Sequence, residues 1–356
     1  MLNLDIKNIF PGMRFARDIH FYDVTLEEMI EVKKGTIMTY MLLDRLKASG
    51  VQEVYIDHIP DSFEPQHNID EVLKKDAVTS IQYVAANFLK VPEGVQTAQM
   101  EDIGETALAL VSEMVQHKNI MVNILDLKMH DDYTFHHSLS VAVVALAIGI
   151  ELNLGTQALY ELTLGGLLHD IGKVMVPQEI LNKPDRLTNR EFEIIKMHPV
   201  HAGVHLLKKN FVTENTFKGI IYHHEKWDGT GYPNGLKETQ IPLFARILAV
   251  ADVYDALTSN RPYRQPEQPS EAIEYIMGAS GTFFDVDIVK AFLHRIAPYP
   301  AGTRVQLCDG RTATVVLNNP NHPLRPIIKI SDSLRFYDLY RDADTLKITI
   351  QGHASP

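Results

Sequence analysis

The sequence predicts a mainly α-helical protein, with a central helical bundle preceded by a small α/β unit and followed by a short β-rich extension. Three observations predict it. From about Asn119 to Arg295 apolar residues recur at helical spacing between turn clusters. Ahead of this stretch, a helix-like segment from Met41 to Lys47 is closed by Gly50, and Val51–Ile56 then alternates as a strand does. Behind it, Val305–Leu307, Ala313–Leu317 and Ile327–Ile330 are short β-like runs separated by Asp309-Gly310 and Asn318-Asn319-Pro320-Asn321.

The elements follow in order. Residues 1–60 form the front unit, entered through a Pro11-Gly12 turn and interrupted at Lys34-Gly35. Residues 61–118 connect it to the bundle: a polar stretch from Asp57 to Asn68, then helical patterns over Ile69–Lys90 and Glu101–Val115. Residues 119–300 are the bundle and residues 301–356 the β-rich extension.

The 356 residues are 45% hydrophobic and 22% charged, as in an ordinary globular protein. A net charge of -11 argues against a partner that is a nucleic-acid polymer, since such proteins carry basic stripes. A small anionic substrate stays compatible, provided metals or a few arginines supply positive charge locally. Cys308 is the single cysteine, which excludes an intrachain disulfide and a cysteine-based zinc site and fits a reducing cytoplasm. The first ten residues lack the apolar run of a signal peptide. Val141–Ile150 is wholly apolar or glycine but only ten residues long, against the roughly 20 a membrane helix needs. It reads as a core helix.

Sixteen histidines are present, and several fall in a series with aspartates. His169 and Asp170 are adjacent at the end of an apolar helix, where a carboxylate is costly unless a cation or hydrogen-bond donors meet it. His136 and His137 open the apolar helix 139–150, and one of them can face the core. His198 and the pair His223-His224 follow. Asp252 and Asp255 interrupt the apolar segment Ile247–Leu257; one faces the interior, and Asp255 reads as bonding a neighbouring turn. Imidazoles and carboxylates on several core helices can converge in a bundle. Without thiolates the donor set is mixed nitrogen and oxygen, which suits iron, manganese, nickel or zinc better than calcium.

The motifs YTFHHS (133–138), HDIGK (169–173), KMHP (196–199), HHEKWDGTGYP (223–233) and ILAVADVYDALTSNRPYR (247–264) occur in one order and spacing. In this the chain resembles the HD-GYP family, a branch of the HD-domain phosphohydrolases. The resemblance implies two divalent metal ions, iron or manganese by preference. It assigns His137, His169, Asp170 and Asp252 to one and His198, His223 and His224 to the other, with Asp170 bridging. Some members hold a third metal through a glutamate four residues before the position of His137; here that residue is Tyr133, which favours two. His136 and His201 have no ligand role in the pattern.

The implied activity is hydrolysis of cyclic di-GMP to linear pGpG and/or GMP, in bacterial second-messenger signalling. Two metals about 3.5–4 Å apart would hold a bridging hydroxide in line with phosphorus and neutralise the phosphoryl oxygens. Asp170 and Lys173 are the catalytic candidates. Lys173, Arg261 and Arg264 are expected to contact substrate, arginine offering a planar fork for phosphate. Gly231-Tyr232-Pro233 would form a rim beside the metals. The alternatives are a 3′,3′-cyclic GMP-AMP phosphodiesterase and a non-catalytic cyclic-dinucleotide sensor. The sequence gives no membrane partner and leaves open a homodimer, a diguanylate cyclase or another signalling partner.

Overall fold

A computed structural model describes residues 2–6, 9–58, 69–90, 98–116, 121, 122, 127, 133–260, 265–331 and 336–354. The chain divides into two units, Met1–Gln66 with Tyr299–Pro356, and His67–Pro298. The two ends of the chain thus build one unit, although in sequence they are separate segments.

In that unit β1 (Leu2–Asp5), β5 (Glu53–His58) and β2 (Arg14–Phe15) form an antiparallel sheet in the order β1-β5-β2. β3 (Ile19–Asp23) and β4 (Glu28–Val32) form a hairpin, and α1 (Tyr40–Ala48) starts at Thr39, whose side chain accepts from the Leu42 amide. The C-terminal segment adds β6 (Arg304–Leu307), β7 (Thr312–Leu317), β8 (Ile327–Ile330), β9 (Phe336–Asp338) and β10 (Ile350–His353), ordered β10-β6-β7-β8-β9. Strand β6 alternates exposed and buried residues, as expected of a sheet with one covered face. What joins the two segments is a shared apolar core: Phe10, Phe15, Leu46 and Ile56 cluster with Val316, Ile327 and Phe336.

The second unit is helical: α2 (Glu71–Asn87), α3 (Ala98–Gln116), α4 (Tyr133–Glu151), α5 (Thr156–Leu168), α6 (Gln178–Leu181), α7 (Asn189–Ile195), α8 (His198–Lys208), α9 (Glu214–Tyr222), α10 (Leu243–Thr258), α11 (Pro269–Gly278) and α12 (Val286–Arg295). Every residue of α4 from His137 to Gly149 is buried. A helix apolar on all sides belongs in the middle of a bundle, and α4 packs against α5, α10 and α12. Fully burying each of Leu139, Leu146 and Ile148 contributes about 1.5–3 kcal/mol. No helix among the described residues is long and apolar enough to cross a membrane.

The end of α2 is tied to α8. The Phe88 carbonyl, left without an intrahelical donor at the helix terminus, accepts from His205 Nε2 (2.8 Å) and from Lys209 Nζ (2.9 Å). The Lys209 side chain is itself buried. A hydrogen bond from a charged donor is worth about 1.5–3 kcal/mol. Lys209→Ala is therefore expected to lower the unfolding free energy by about that amount, read from the midpoint of chemical denaturation. An unchanged midpoint would show that the α2 terminus does not depend on this contact.

Candidate metal centre

The candidate ligands sit mostly at helix ends. His169 caps the C-terminus of α5, with Asp170 next, before a 3₁₀ turn over Ile171–Met175. His223 caps the C-terminus of α9, with His224 beside it. His198 opens α8, immediately after α7 and its two-residue connection. His137 and Asp252 lie in the interior of helices, α4 and α10.

This placement fixes the rings. His169 Nδ1 donates to Gly166 O, His198 Nδ1 to Ile195 O and His223 Nδ1 to Ile220 O, each at 2.7 Å and each to a carbonyl three residues back. Terminal helix carbonyls lack intrahelical donors, so the side chains satisfy them. A carbonyl only accepts, hence Nδ1 must carry the proton. In the neutral imidazole this leaves the Nε2 lone pair uncovered. The three Nε2 atoms are buried and make no hydrogen bond.

They face Asp170. Its Oδ1 lies 3.1 Å from His198 Nε2, while Oδ2 lies 3.5 Å from His169 Nε2 and 3.4 Å from His137 Nε2. Two sets of donors result, each with its ligand atoms within 4.8 Å of one another: His137, His169 and Asp170, and Asp170, His198, His223 and His224. Asp252 borders both, with Oδ1 3.2 Å from His137 Nε2 and Oδ2 3.7 Å from His224 Nδ1. Ring centroids of His223 and His224 are 4.0 Å apart, and those of His169 and His223 4.9 Å.

The electrostatics follow from crowding. Burial drives the His224 pKa down to about 3. Burial, with His224 and His169 as neighbours, holds His223 well below its ordinary value. Burial opposes charge on His137 too, but hydrogen bonding to Asp170, Asp252 and Asp255 outweighs it and raises the pKa. Burial likewise works against the Asp170 carboxylate, and Lys173 and His169 overcome it, keeping the pKa well below the usual range. Asp252 behaves in the same way, with His137 as the main partner. Unless a proton or a metal cation stands between them, imidazole Nε2 atoms turned onto a buried carboxylate are acceptors facing acceptors. Such a set is stable only with positive charge between the partners, and nitrogen and oxygen donors of this kind fit a divalent transition metal.

A family model described as an HD domain matches residues 111–288, half of the chain. The chain belongs to the HD domain family. It is 38% identical over 243 residues to the cyclic di-GMP phosphodiesterase PA4108 of Pseudomonas aeruginosa, covering 68% of this chain and 58% of that protein. It is 40% identical over 154 residues to 3'3'-cGAMP-specific phosphodiesterase 1 of Vibrio cholerae, covering 43% of this chain and 35% of that one. The chain thus spans roughly half, or less, of the length of these relatives. The HDG"Y"P protein Bd1817 of Bdellovibrio bacteriovorus shares the fold, with a TM-score of 0.50 and 18% identity over 82% of this chain and 97% of its own.

Of the substrate candidates of this HD-domain chain, Lys173 donates from Nζ to Asp170 Oδ2 and remains part-exposed. The ring of Tyr232 packs on His224, with centroids 4.7 Å apart. Its neighbour Gly231 runs against the double-histidine segment: a Cβ there would stand 2.4 Å from the Lys226 amide and 2.5 Å from the His224 carbonyl oxygen. Pro233 follows on the same half-buried loop. Arg261 and Arg264 lie outside the described residues, and His136 and His201 belong to neither donor set.

Two residues have roles that the sequence does not announce. Asp255 does more than bond a neighbouring turn: its Oδ2 accepts from His137 Nδ1 at 2.7 Å, across 118 residues of chain, as well as from Ser259 Oγ at 3.1 Å. The available signal is its three-residue spacing from Asp252, which puts both carboxylates on one face of α10. Glu225, almost fully buried, accepts from the amides of Asn234 (2.7 Å) and Leu236 (3.0 Å) and so anchors the far side of the loop.

Gly172 sets the distance between the HD turn and α8, since a Cβ would lie 2.0 Å from the His198 carbonyl oxygen and 2.9 Å from the Ala202 amide. Both are backbone atoms and cannot swing aside. Gly172→Ala is expected to destabilise the helical unit by about 1–3 kcal/mol through overpacking, measured as a fall in thermal midpoint. A wild-type midpoint would mean the turn has room that the geometry denies it.

Proposed function

We propose that this chain is a metal-dependent phosphodiesterase that hydrolyses cyclic di-GMP to linear pGpG, GMP or both. The observation that supports it is the division of Asp170: one carboxylate oxygen faces His198 and the other faces His137 and His169, with the His169 and His198 rings fixed by carbonyls of their own helix ends and the His137 ring by Asp255. On this reading His137, His169, Asp170 and Asp252 hold one divalent cation, and His198, His223 and His224 hold the second with Asp170 shared. The absence of sulfur donors favours iron or manganese, with nickel and zinc also accommodated. Bound there, a cation pair lowers the pKa of water and neutralises charge on the phosphoryl oxygens.

The remaining work falls to the protein. Water adds to phosphorus as the bond to the 3′ oxygen breaks, and the departing oxygen takes up a proton. Lys173, part-exposed and hydrogen-bonded to Asp170, is positioned to contact that oxygen or the phosphate beside it. Tyr232 braces His224, and Glu225 holds the loop that carries Tyr232. Arg261 and Arg264 are assigned to phosphate or guanine, as arginine geometry suits. The 40% identity to a 3'3'-cGAMP-specific enzyme supports a second substrate reading, because the two dinucleotides differ at one base.

Protein purified without oxygen and loaded with Fe²⁺ or Mn²⁺ is expected to convert cyclic di-GMP to pGpG or GMP. Removal of the metal by a chelator should abolish turnover, and re-addition should restore it. Binding of the dinucleotide with quantitative return of intact ligand would make the chain a sensor and overturn the proposal. Competition between cyclic di-GMP and 3′,3′-cyclic GMP-AMP decides the substrate. Asp170→Ala is expected to lose both metals and to lower kcat by more than about a hundredfold, beyond the usual cost of losing an outer-sphere partner, with the helical circular dichroism retained. Full turnover in that variant would exclude Asp170 as the shared ligand.

A further inference from the structure

The two donor sets are unequal in what stands behind them. His169, His198 and His223 are each held at Nδ1 by a neutral main-chain carbonyl. His137 is held at Nδ1 by a carboxylate, Asp255, which is 1% exposed. Its Nε2 already lies 3.2 Å from Asp252 and 3.4 Å from Asp170. Three carboxylates therefore surround the His137 side. The side of His198, His223 and His224 shares one oxygen of Asp170 and has Asp252 only at 3.7 Å from His224.

We propose that Asp255 is a positioning residue that makes the His137 side the tighter of the two cation positions, so that the positions fill in sequence and the His198–His223–His224 position is the exchangeable one. This rests on the dinuclear reading above. A carboxylate on Nδ1 polarises the ring toward its more basic form and strengthens Nε2 as a ligand, and it prevents the ring from turning away. A carbonyl fixes the ring equally well but adds no net charge. The hydroxyl of Ser259 holds Asp255 in place from the next turn of chain, and the other oxygen of Asp255 is buried without a hydrogen bond among the described residues. The negative charge of Asp255 is thus directed at one imidazole and is poorly screened.

The test is a calorimetric titration of metal-free full-length protein with Mn²⁺, followed in parallel by electron paramagnetic resonance of the bound ion. Wild type is expected to show two classes of site. Asp255→Asn keeps the shape and a hydrogen-bond acceptor but removes the charge, and is expected to weaken the tighter class about 10–100-fold while leaving the weaker class unchanged. Equal weakening of both classes, or of neither, would overturn the assignment of Asp255. Failure of wild-type protein to bind two Mn²⁺ would instead defeat the dinuclear reading, so the two failures are distinguishable. Should Asp255→Asn not fold, Ser259→Ala removes only the hydroxyl bonded to Asp255 and is expected to weaken the same class severalfold; an effect confined to the weaker class would refute the proposal.

Discussion

The structure depends on a confrontation that ordinary folding avoids: bare imidazole nitrogens held against a buried carboxylate. Three helix termini impose it. Each end leaves carbonyls without donors, and a histidine at the junction satisfies one of them through Nδ1, so that Nε2 has to point the other way. The same hydrogen bond that completes a helix therefore aims a candidate ligand. Stability of the backbone and direction of the donor are one requirement for His169, His198 and His223, which sit at helix ends, whereas His137 and Asp252 are presented from within α4 and α10.

The scaffold keeps those ends in register. Helix α4, buried on every side, is the element around which α5, α10 and α12 pack, and it carries His137. Helix α8 is keyed at two places. At its start the carbonyl of His198 lies against Gly172, where no side chain fits. Near its end His205 and Lys209 hold the Phe88 carbonyl at the terminus of α2. A displacement of α2 along α8 would therefore strain the helix that presents His198, and contacts of this sort are the physical links through which a distant element can bias a site.

Much of this is legible in the sequence, and for identifiable reasons. The all-apolar run around Val141–Ile150 identifies the central helix without any knowledge of its neighbours, and the short runs near Val305, Ala313 and Ile327 match β6, β7 and β8. The histidine and aspartate series is readable because its order and spacing are specific as a set. The union of the two chain ends into one unit is not readable, because a shared core such as Phe10 with Phe336 leaves no periodic trace across more than three hundred residues. Nor is the role of Asp255. An acid on an apolar helix announces that something meets it, but His137 lies 118 residues earlier, and only the packing of α4 on α10 brings the two together. Glu225 is hidden likewise, since a loop-anchoring carboxylate has no pattern beyond its own letter.

The inventory of charge explains why neutral histidines matter to the proposed centre, which would have to accept an anion. The chain as a whole carries -11, and Asp170, Asp252 and Asp255 place three negative charges within or directly behind the donor sets. A cyclic dinucleotide brings two more on its phosphates. Two divalent cations exceed three carboxylates by a single unit, and Lys173 adds another, so the proposed centre attracts phosphate only because its remaining donors are uncharged. Burial secures that condition: it holds the pKa of His223 and of His224 well below the ordinary histidine value, and protons there would repel cations bound at the proposed centre. Replacing one of these imidazoles by a carboxylate would keep a ligand in place and yet cancel the positive surplus, so the choice of histidine is a matter of charge as much as of coordination.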